Sequence, residues 1–265
     1  MKSLKTSDPT LHEMIRLARA AGRVVMAHYR KASGKRSYKS DNSPVTAADL
    51  AANRLIEAGL KRFDPSIPVI SEESPIPTAA ARRKWKHFWL VDPVDGTREF
   101  LNRTGHFTVN IGLIRAGRPV AGVVFAPAMG VLYFGSDKSR SWKIEGRRRQ
   151  PERIFSKAPE AGERPRILIS RLHETPASMK RLSAIPNADL IRVGSSLKFG
   201  LVAEGRAHAY PRFGPTCEWD VAAGDAVWRY ACAAGKTNRS PLKYNKKTLK
   251  NGSFYIGWRP AKSAA

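Results

Sequence analysis

The sequence predicts an α/β protein, an α+β layered sandwich built from two sub-domains. Three observations predict it. Helix-period and strand-period segments follow one another along most of the 265 residues, as they must when helices cover the faces of a sheet. One stretch, FTVNIGLIRAGRPVAGVVFAPAMGVLYFGS, holds three successive strand signals joined by short turns. A polar, basic and Pro/Gly-punctuated stretch at 136–165 then separates this block from a second one with a different pattern. The boundary is placed between 147 and 148, giving units 1–147 and 148–265.

Each element has its own reason. Residues 7–30 form an amphipathic helix, because Leu11, Met14, Ile15, Ala18, Val25 and Met26 recur at spacings of three, four and seven. A second helix starts at SPVTAADL, with Thr46 as N-cap and Asp49 three residues on. IPVIS and HFWLVD are short apolar runs bounded by turn chemistry, hence strands, and the second is expected to end at Asp92, where Pro93 stops ladder pairing. In the three-strand stretch the turns fall at Ala116-Gly117 and at 127–130. Beyond the junction, RPRILIS, ADLIRVG, AHAYPRF and FYIGW read as strands, with helices at 175–184, 195–204 and 217–232 between them.

Composition narrows the function. With 42% apolar residues the chain can build a real core. No segment approaches the ~18 uninterrupted apolar residues of a membrane span, and MKSLKTSDPT lacks the apolar centre of a leader, so the expectation is a soluble cytoplasmic protein. Cys217 and Cys232 are fifteen residues apart on one helical segment. At ~1.5 Å per residue that is roughly 22 Å, too far for a disulfide. The 47 Lys+Arg against 22 Asp+Glu give a net charge of +25. Residues 138–157 alone carry eight Lys/Arg against two Glu, and no acid follows Asp225. No stacking pattern of aromatics and no nucleic-acid-binding motif accompanies this charge, so no specific nucleic acid is expected. Steering of a small anionic ligand is a second use for it.

Against that background, LVDPVDGTREF gathers Asp92 and Asp95 at the end of an apolar run. Both can converge on one side of the turn as hard oxygen ligands suited to Mg2+, with the Val94 carbonyl between them. The N–H groups of Gly96 and Thr97, at the start of a short helix, make a seat for phosphate, and the Thr97 hydroxyl can orient a water. The plain alternative is that Asp95 caps a helix and Asp92 ends a strand. VISEES sets Glu72 and Glu73 directly after a strand, TCEWDVAAGDAV brings Asp220 to the start of a close-packing Ala/Gly-rich helix, and Asp49 lies in the first turn of another. Surface exposure, dipole pairing and capping are the corresponding plain readings. The weight lies in the order: four acid-bearing motifs follow strand ends or helix starts in a chain that otherwise avoids acid.

SPVTAAD, PVISEES, WLVDPVDGTREFL and EWDVAAG resemble the signature of the lithium-sensitive, magnesium-dependent phosphatase superfamily that includes inositol monophosphatase. Within it, SRLH, VGSSLKFGLVAEG and YPRFGPTCEWDVAAG resemble the CysQ-type 3'(2'),5'-bisphosphate nucleotidases. The resemblance runs from about residue 10 to 232 and departs from the family's small residues at SDKSRSWKIEGRRRQ. It implies alternating α/β/α/β/α layers of the sugar-phosphatase type with the site between the sub-domains. It further implies two to three Mg2+ ions: a first held by Glu72, Asp92 and the Val94 carbonyl, a second by Asp92, Asp95 and Asp220, and a third near Glu72 with Asp49 placing its waters. Glu72 and Thr97 would orient the attacking water, Asp49 would support Thr97, and Gly96 and Thr97 would receive the phosphate. His173, Ser195, Ser196, Lys198 and Arg212 would contact the nucleotide.

The implied reaction is loss of the 3'-phosphate from adenosine 3',5'-bisphosphate, giving AMP and phosphate. An inositol or sugar phosphate is the alternative substrate, and a nucleic-acid-binding protein on a phosphatase scaffold is the alternative of another class. A homodimer and peripheral contact with the anionic inner face of a membrane are partners the sequence leaves open.

Overall fold

The computed structural model describes residues 8–30, 36–38, 44–146, 150–171, 174–233 and 236–260. The first half of the chain runs α1 (Pro9–Arg30), β1 (Arg36–Tyr38), β2 (Pro44–Thr46), α2 (Ala47–Phe63), β3 (Val69–Ser71), α3 (Ala79–Arg82), β4 (His87–Asp95), α4 (Thr97–Leu101), β5 (Thr108–Arg115), β6 (Arg118–Ala126), β7 (Val131–Ser136) and β8 (Arg140–Glu145). It continues through β9 (Glu152–Arg153), β10 (Arg166–Ser170), α5 (Pro176–Ser183), β11 (Asp189–Val193), α6 (Leu197–Ala203), β12 (Ala209–Arg212), β13 (Thr216–Cys217), α7 (Glu218–Arg229), β14 (Lys250–Asn251) and β15 (Phe254–Gly257).

Strands β3 to β9 form one seven-stranded sheet in chain order. Only β3 and β4 pair in parallel; the remaining neighbours are antiparallel. Alternation along β4 sends Trp89 and Val91 to one face and Phe88 and Leu90 to the other. The Trp89 face is covered by α1 and α2, whose Leu11, Met14, Ile15, Ala18, Ala48, Ala52, Ile56 and Leu60 complete that core. The Phe88 face is covered by α6 and α7, which also carry the second sheet, β11-β10-β12-β15. On the far side of that sheet, Leu182 and Met179 of α5 pack against Ile167 and Ile169. The result is the expected alternation of five layers, α/β/α/β/α.

Close approach of α7 to the large sheet depends on Gly122 of β6: a Cβ there would come within 2.3 Å of the Ala223 carbonyl oxygen. The Ala/Gly-rich sequence of α7 is therefore a packing requirement. The basic stretch 136–165 contributes β8 and β9, which extend the first sheet. Cys217 and Cys232 lie just outside the two ends of α7 and are not joined in a disulfide. Among the described residues no helix is long and apolar enough to cross a membrane.

Candidate active site

One expectation is corrected here. The strand in HFWLVD does not stop at Asp92: β4 continues through Pro93 to Asp95 across a bulge. Asp92 pairs with Asn110 and Asp95 with Thr108, so three steps on β4 match two on β5. On a regular strand, residues three apart face opposite sides. The extra residue puts Asp92 and Asp95 on the same side, the face covered by α7, because their partners are two apart. Proline is tolerated because a bulge interrupts the ladder anyway.

Three side chains converge at this sheet end. Glu72 follows β3, Asp92 sits on the bulge, and Asp220 lies in the first turn of α7; one carboxylate oxygen of each lies within 4.8 Å of the others. Asp92 is only 1% exposed, and its Oδ1 has no hydrogen-bond partner. Asp220 uses Oδ2 to accept the Cys217 N–H at 2.8 Å, closing the N-terminus of α7. Burial is the largest cause pushing the Asp92 carboxyl well above the usual carboxylate range, followed by repulsion from Glu72, Asp95, Asp220 and the buried Asp49 of α2. Asp220 is pushed up by burial, then by Asp95 and Glu72, against the opposing Cys217 N–H and Arg212. A buried, orphaned carboxylate oxygen among like charges is costly unless a cation neutralises it. The all-oxygen donor set fits a hard divalent ion.

Around this cluster lies a cleft of about 260 Å³ lined by Glu72, Asp95, Gly96, Thr97, Ser195, Ser196, Lys198, Arg212 and Asp220, among others. Gly96 holds φ at 89°, in the left-handed region, and starts α4; a Cβ there would crowd the His106 carbonyl oxygen at 3.1 Å. The Thr97 hydroxyl donates to the Val94 carbonyl at 3.2 Å and keeps its oxygen lone pairs as acceptors.

The other wall comes from the loop before α6. Ser195 adopts a positive φ of 51°. Ser196 ties the two halves together: its backbone N–H and its hydroxyl (2.7 Å) both reach Asp95 Oδ2, and its hydroxyl also lies against the Asp220 carbonyl. Asn110 Nδ2 contacts the same serine oxygen at 3.1 Å. Lys198 is 4% exposed; its ammonium donates to the carbonyls of Ser195 (2.6 Å) and Val193 (3.1 Å) and lies 5.0 Å from the Tyr210 ring centre. Burial lowers its pKa to about 8, with Arg212 pushing the same way and Asp95, Glu99 and Glu174 opposing. Arg212 donates to the Pro215 carbonyl at 3.2 Å. His173 lies outside the described residues.

Several lining residues were not singled out from the sequence: Arg98, Glu99, Ser170, Tyr210 and Thr216. Glu99 carried a usable signal, an acid four residues after Asp95 in an acid-poor chain. It is 4% exposed, and burial raises its pKa.

Five alternating layers with an acidic cluster at a sheet end and a helix start define a phosphatase of the sugar-phosphatase type. Comparison with known proteins places it further. The family model described as "Inositol monophosphatase family" matches residues 7–244, and the chain belongs to that family, whose phosphatases are metal-dependent. The 3'(2'),5'-bisphosphate nucleotidase CysQ of Escherichia coli strain K12 is 46% identical over 255 residues, covering 93% of this chain and 98% of the relative. The protein of the same name from Salmonella typhimurium is 46% identical over 226 residues, covering 85% of this chain and 88% of that one. The crystal structure of CysQ from Bacteroides thetaiotaomicron superimposes with a TM-score of 0.78 at 36% identity, covering 94% of this chain and 96% of that one.

Proposed function

We propose that the chain is a 3'(2'),5'-bisphosphate nucleotidase that removes the 3'-phosphate of adenosine 3',5'-bisphosphate, with Mg2+ as its metal. The observation that carries this reading is that one cleft is lined by both signs of charge, an acidic pole of Glu72, Asp95 and Asp220 and a basic pole of Lys198 and Arg212. A substrate with two phosphates meets both, the cleaved one at the acidic, metal-bearing pole and the retained one at the cations. The names of the E. coli, Salmonella and Bacteroides relatives support the same substrate class.

In this reading Glu72, Asp92 and the Val94 carbonyl would hold one ion, Asp92, Asp95 and Asp220 would hold a second, and a third would bind near Glu72 with Asp49 close by. Bound Mg2+ neutralises the phosphate dianion and lowers the pKa of water. The chain's own groups do the rest. Glu72 and the acceptor oxygen of Thr97 orient the attacking water, Asp49 supports Thr97, and the Gly96 and Thr97 N–H groups receive the phosphate oxygens. Water oxygen bonds to phosphorus, the bond from phosphorus to the ribose 3'-oxygen breaks, and that oxygen leaves with a proton. Residues 1–147 thus supply every metal ligand except Asp220, and residues 148–265 supply the nucleotide contacts, Ser195, Ser196, Lys198, Arg212 and His173.

The test is phosphate release from adenosine 3',5'-bisphosphate and inositol 1-phosphate side by side, with Mg2+ and with EDTA. Mg2+-dependent preference for the nucleotide is expected. Preference for the inositol ester would keep the metal site and overturn the substrate; turnover of neither would overturn both.

A further inference from the structure

Helix α7 carries three carboxylates with different surroundings. Asp220 belongs to the acidic cluster. Glu218 and Asp225, both 0% exposed, are seven residues apart and share a face of the helix, while Asp220, two residues from Glu218, points roughly 200° around from it. The Glu218 face meets the basic tail, the part of the sequence that the proposed activity leaves unused. Glu218 Oε2 accepts the Asn245 N–H at 2.7 Å, and Oε1 accepts the Lys246 N–H at 3.0 Å and the Lys246 ammonium at 2.7 Å. All three ammonium hydrogens of Lys246 are matched, since Nζ also lies 2.6 Å from the Lys243 carbonyl and 2.8 Å from Asn251 Oδ1. Asn251 in turn donates to Thr216 Oγ1 and the Cys217 carbonyl, both at 3.1 Å, on the strand leading into α7.

The same tail is fastened to the segment that follows Glu72. The buried Arg82 guanidinium binds Pro77, Asn245 Oδ1 and the carbonyls of Lys246 and Lys247 at 3.0–3.2 Å. One span of tail therefore links the α3 region after Glu72 to the first turn of α7, the two sources of ligands that must converge on Asp92. Like charges at that convergence push the elements apart whenever no cation is between them. A pin on the opposite face of α7 resists that push.

We propose that Lys246, acting through Glu218, is a positioning residue of the metal centre, holding the first turn of α7 so that Asp220 stays within reach of Glu72 and Asp92. The inference rests on the metal-site reading above. Outer-shell partners of this kind typically change metal affinity by about 10- to 100-fold.

The test is Mn2+ binding to the full chain, followed by calorimetry and by the Mn2+ EPR signal, alongside thermal unfolding. Lys246→Met is expected to weaken Mn2+ binding at least about tenfold. Its KM at saturating metal should stay near the wild-type value. Glu218→Gln combined with Lys246→Met should be no weaker than Lys246→Met alone, because the pair acts as a unit. Tyr244→Phe is the control: Tyr244 donates to Asp225 at 2.9 Å, about 1.4 turns along α7 from Asp220, so its loss should lower the melting temperature without moving Mn2+ affinity. Lys246→Gln, a milder change, serves the same purpose should the methionine variant not fold. Wild-type Mn2+ affinity in a folded Lys246 variant overturns the proposal. So does a loss of affinity that merely tracks melting temperature across all variants. A wild-type protein that binds no Mn2+ would instead remove the metal reading, and the proposal with it.

Discussion

The two faces of α7 treat buried acid in opposite ways. On the tail face, Glu218 meets a lysine and two backbone N–H groups, and Asp225 meets Arg229 at 3.2 Å and Tyr244. Asp225 Oδ1 has no partner of its own, but its Oδ2 takes both donors; on the cluster face Asp220 and Asp92 face Glu72 and each other, and the charged groups around Asp92 are all carboxylates. Folding alone favours the first arrangement, since buried carboxylates survive by being paired. Where a fold keeps the second, the missing partner comes from outside the chain. Charge left unanswered marks function here, and charge answered marks structure.

The comparison breaks most visibly if the two kinds of acid respond alike to removal. Asp92→Asn should lower kcat/KM for the nucleotide at least about a thousandfold, which is about 4 kcal/mol of transition-state stabilisation. The same change should not destabilise the metal-free protein. A carboxyl whose pKa is raised in the fold holds its proton longer folded than unfolded. Metal-free stability therefore falls as pH rises through and above the ordinary carboxylate range, and asparagine removes that loss. Urea unfolding in EDTA at pH 5 and 8 checks the sign. A clear drop in Asp92→Asn stability at pH 8 would mean that the cluster is a structural device.

Glu218→Ala should instead destabilise the protein, with turnover largely kept at saturating metal. It strands the Lys246 ammonium and two partly buried N–H groups, and breaking a buried pair costs about 3–5 kcal/mol. Because Lys246 keeps 30% of its side-chain exposure, about 2–3 kcal/mol is the appropriate expectation. Denaturant midpoints at constant m-value measure it. A neutral result would erase the contrast between the two faces.

Much of this was legible in the sequence because it lies in local pattern. The period of α1, the turns at Ala116-Gly117 and 127–130, and the placement of Glu72 after a strand and of Asp220 at a helix start are all read from neighbours along the chain. The bulge was not legible, because Asp92 and Asp95 face the same way only in register with Asn110 and Thr108, a pairing with another strand. The contacts of Ser196 escaped for the same reason. VGSSLK gives no hint that a serine about a hundred residues away in sequence holds Asp95 and touches the Asp220 backbone. The tail's contacts were not legible because Lys246 is indistinguishable by type from its neighbours. Only the depth of Glu218, set by packing of α7, separates Lys246 from Lys243 or Lys247.

The smallest expected effect concerns the basic pole of the cleft. Lys198 is the buried cation there, and its pKa of about 8 lies inside the working range of a hydrolase. Because kcat/KM reports groups of the free enzyme, its dependence for the bisphosphate should fall through pH ~8 as the ammonium loses its proton. The fraction charged drops about tenfold between pH 7 and 9, so the fall over that interval should be about tenfold, or about 1.4 kcal/mol. Inositol 1-phosphate has no second phosphate for Lys198 to meet, and whatever residual turnover it shows should lack this limb. Lys198→Met should flatten the limb for the nucleotide, the rate at pH 7 falling toward that of wild type at pH 9. If both substrates share the limb, the titration belongs to the acidic pole or to water activation. Lys198 would then be no more than a clamp on the Ser195 and Val193 carbonyls, and the basic pole would join the structural side of the comparison.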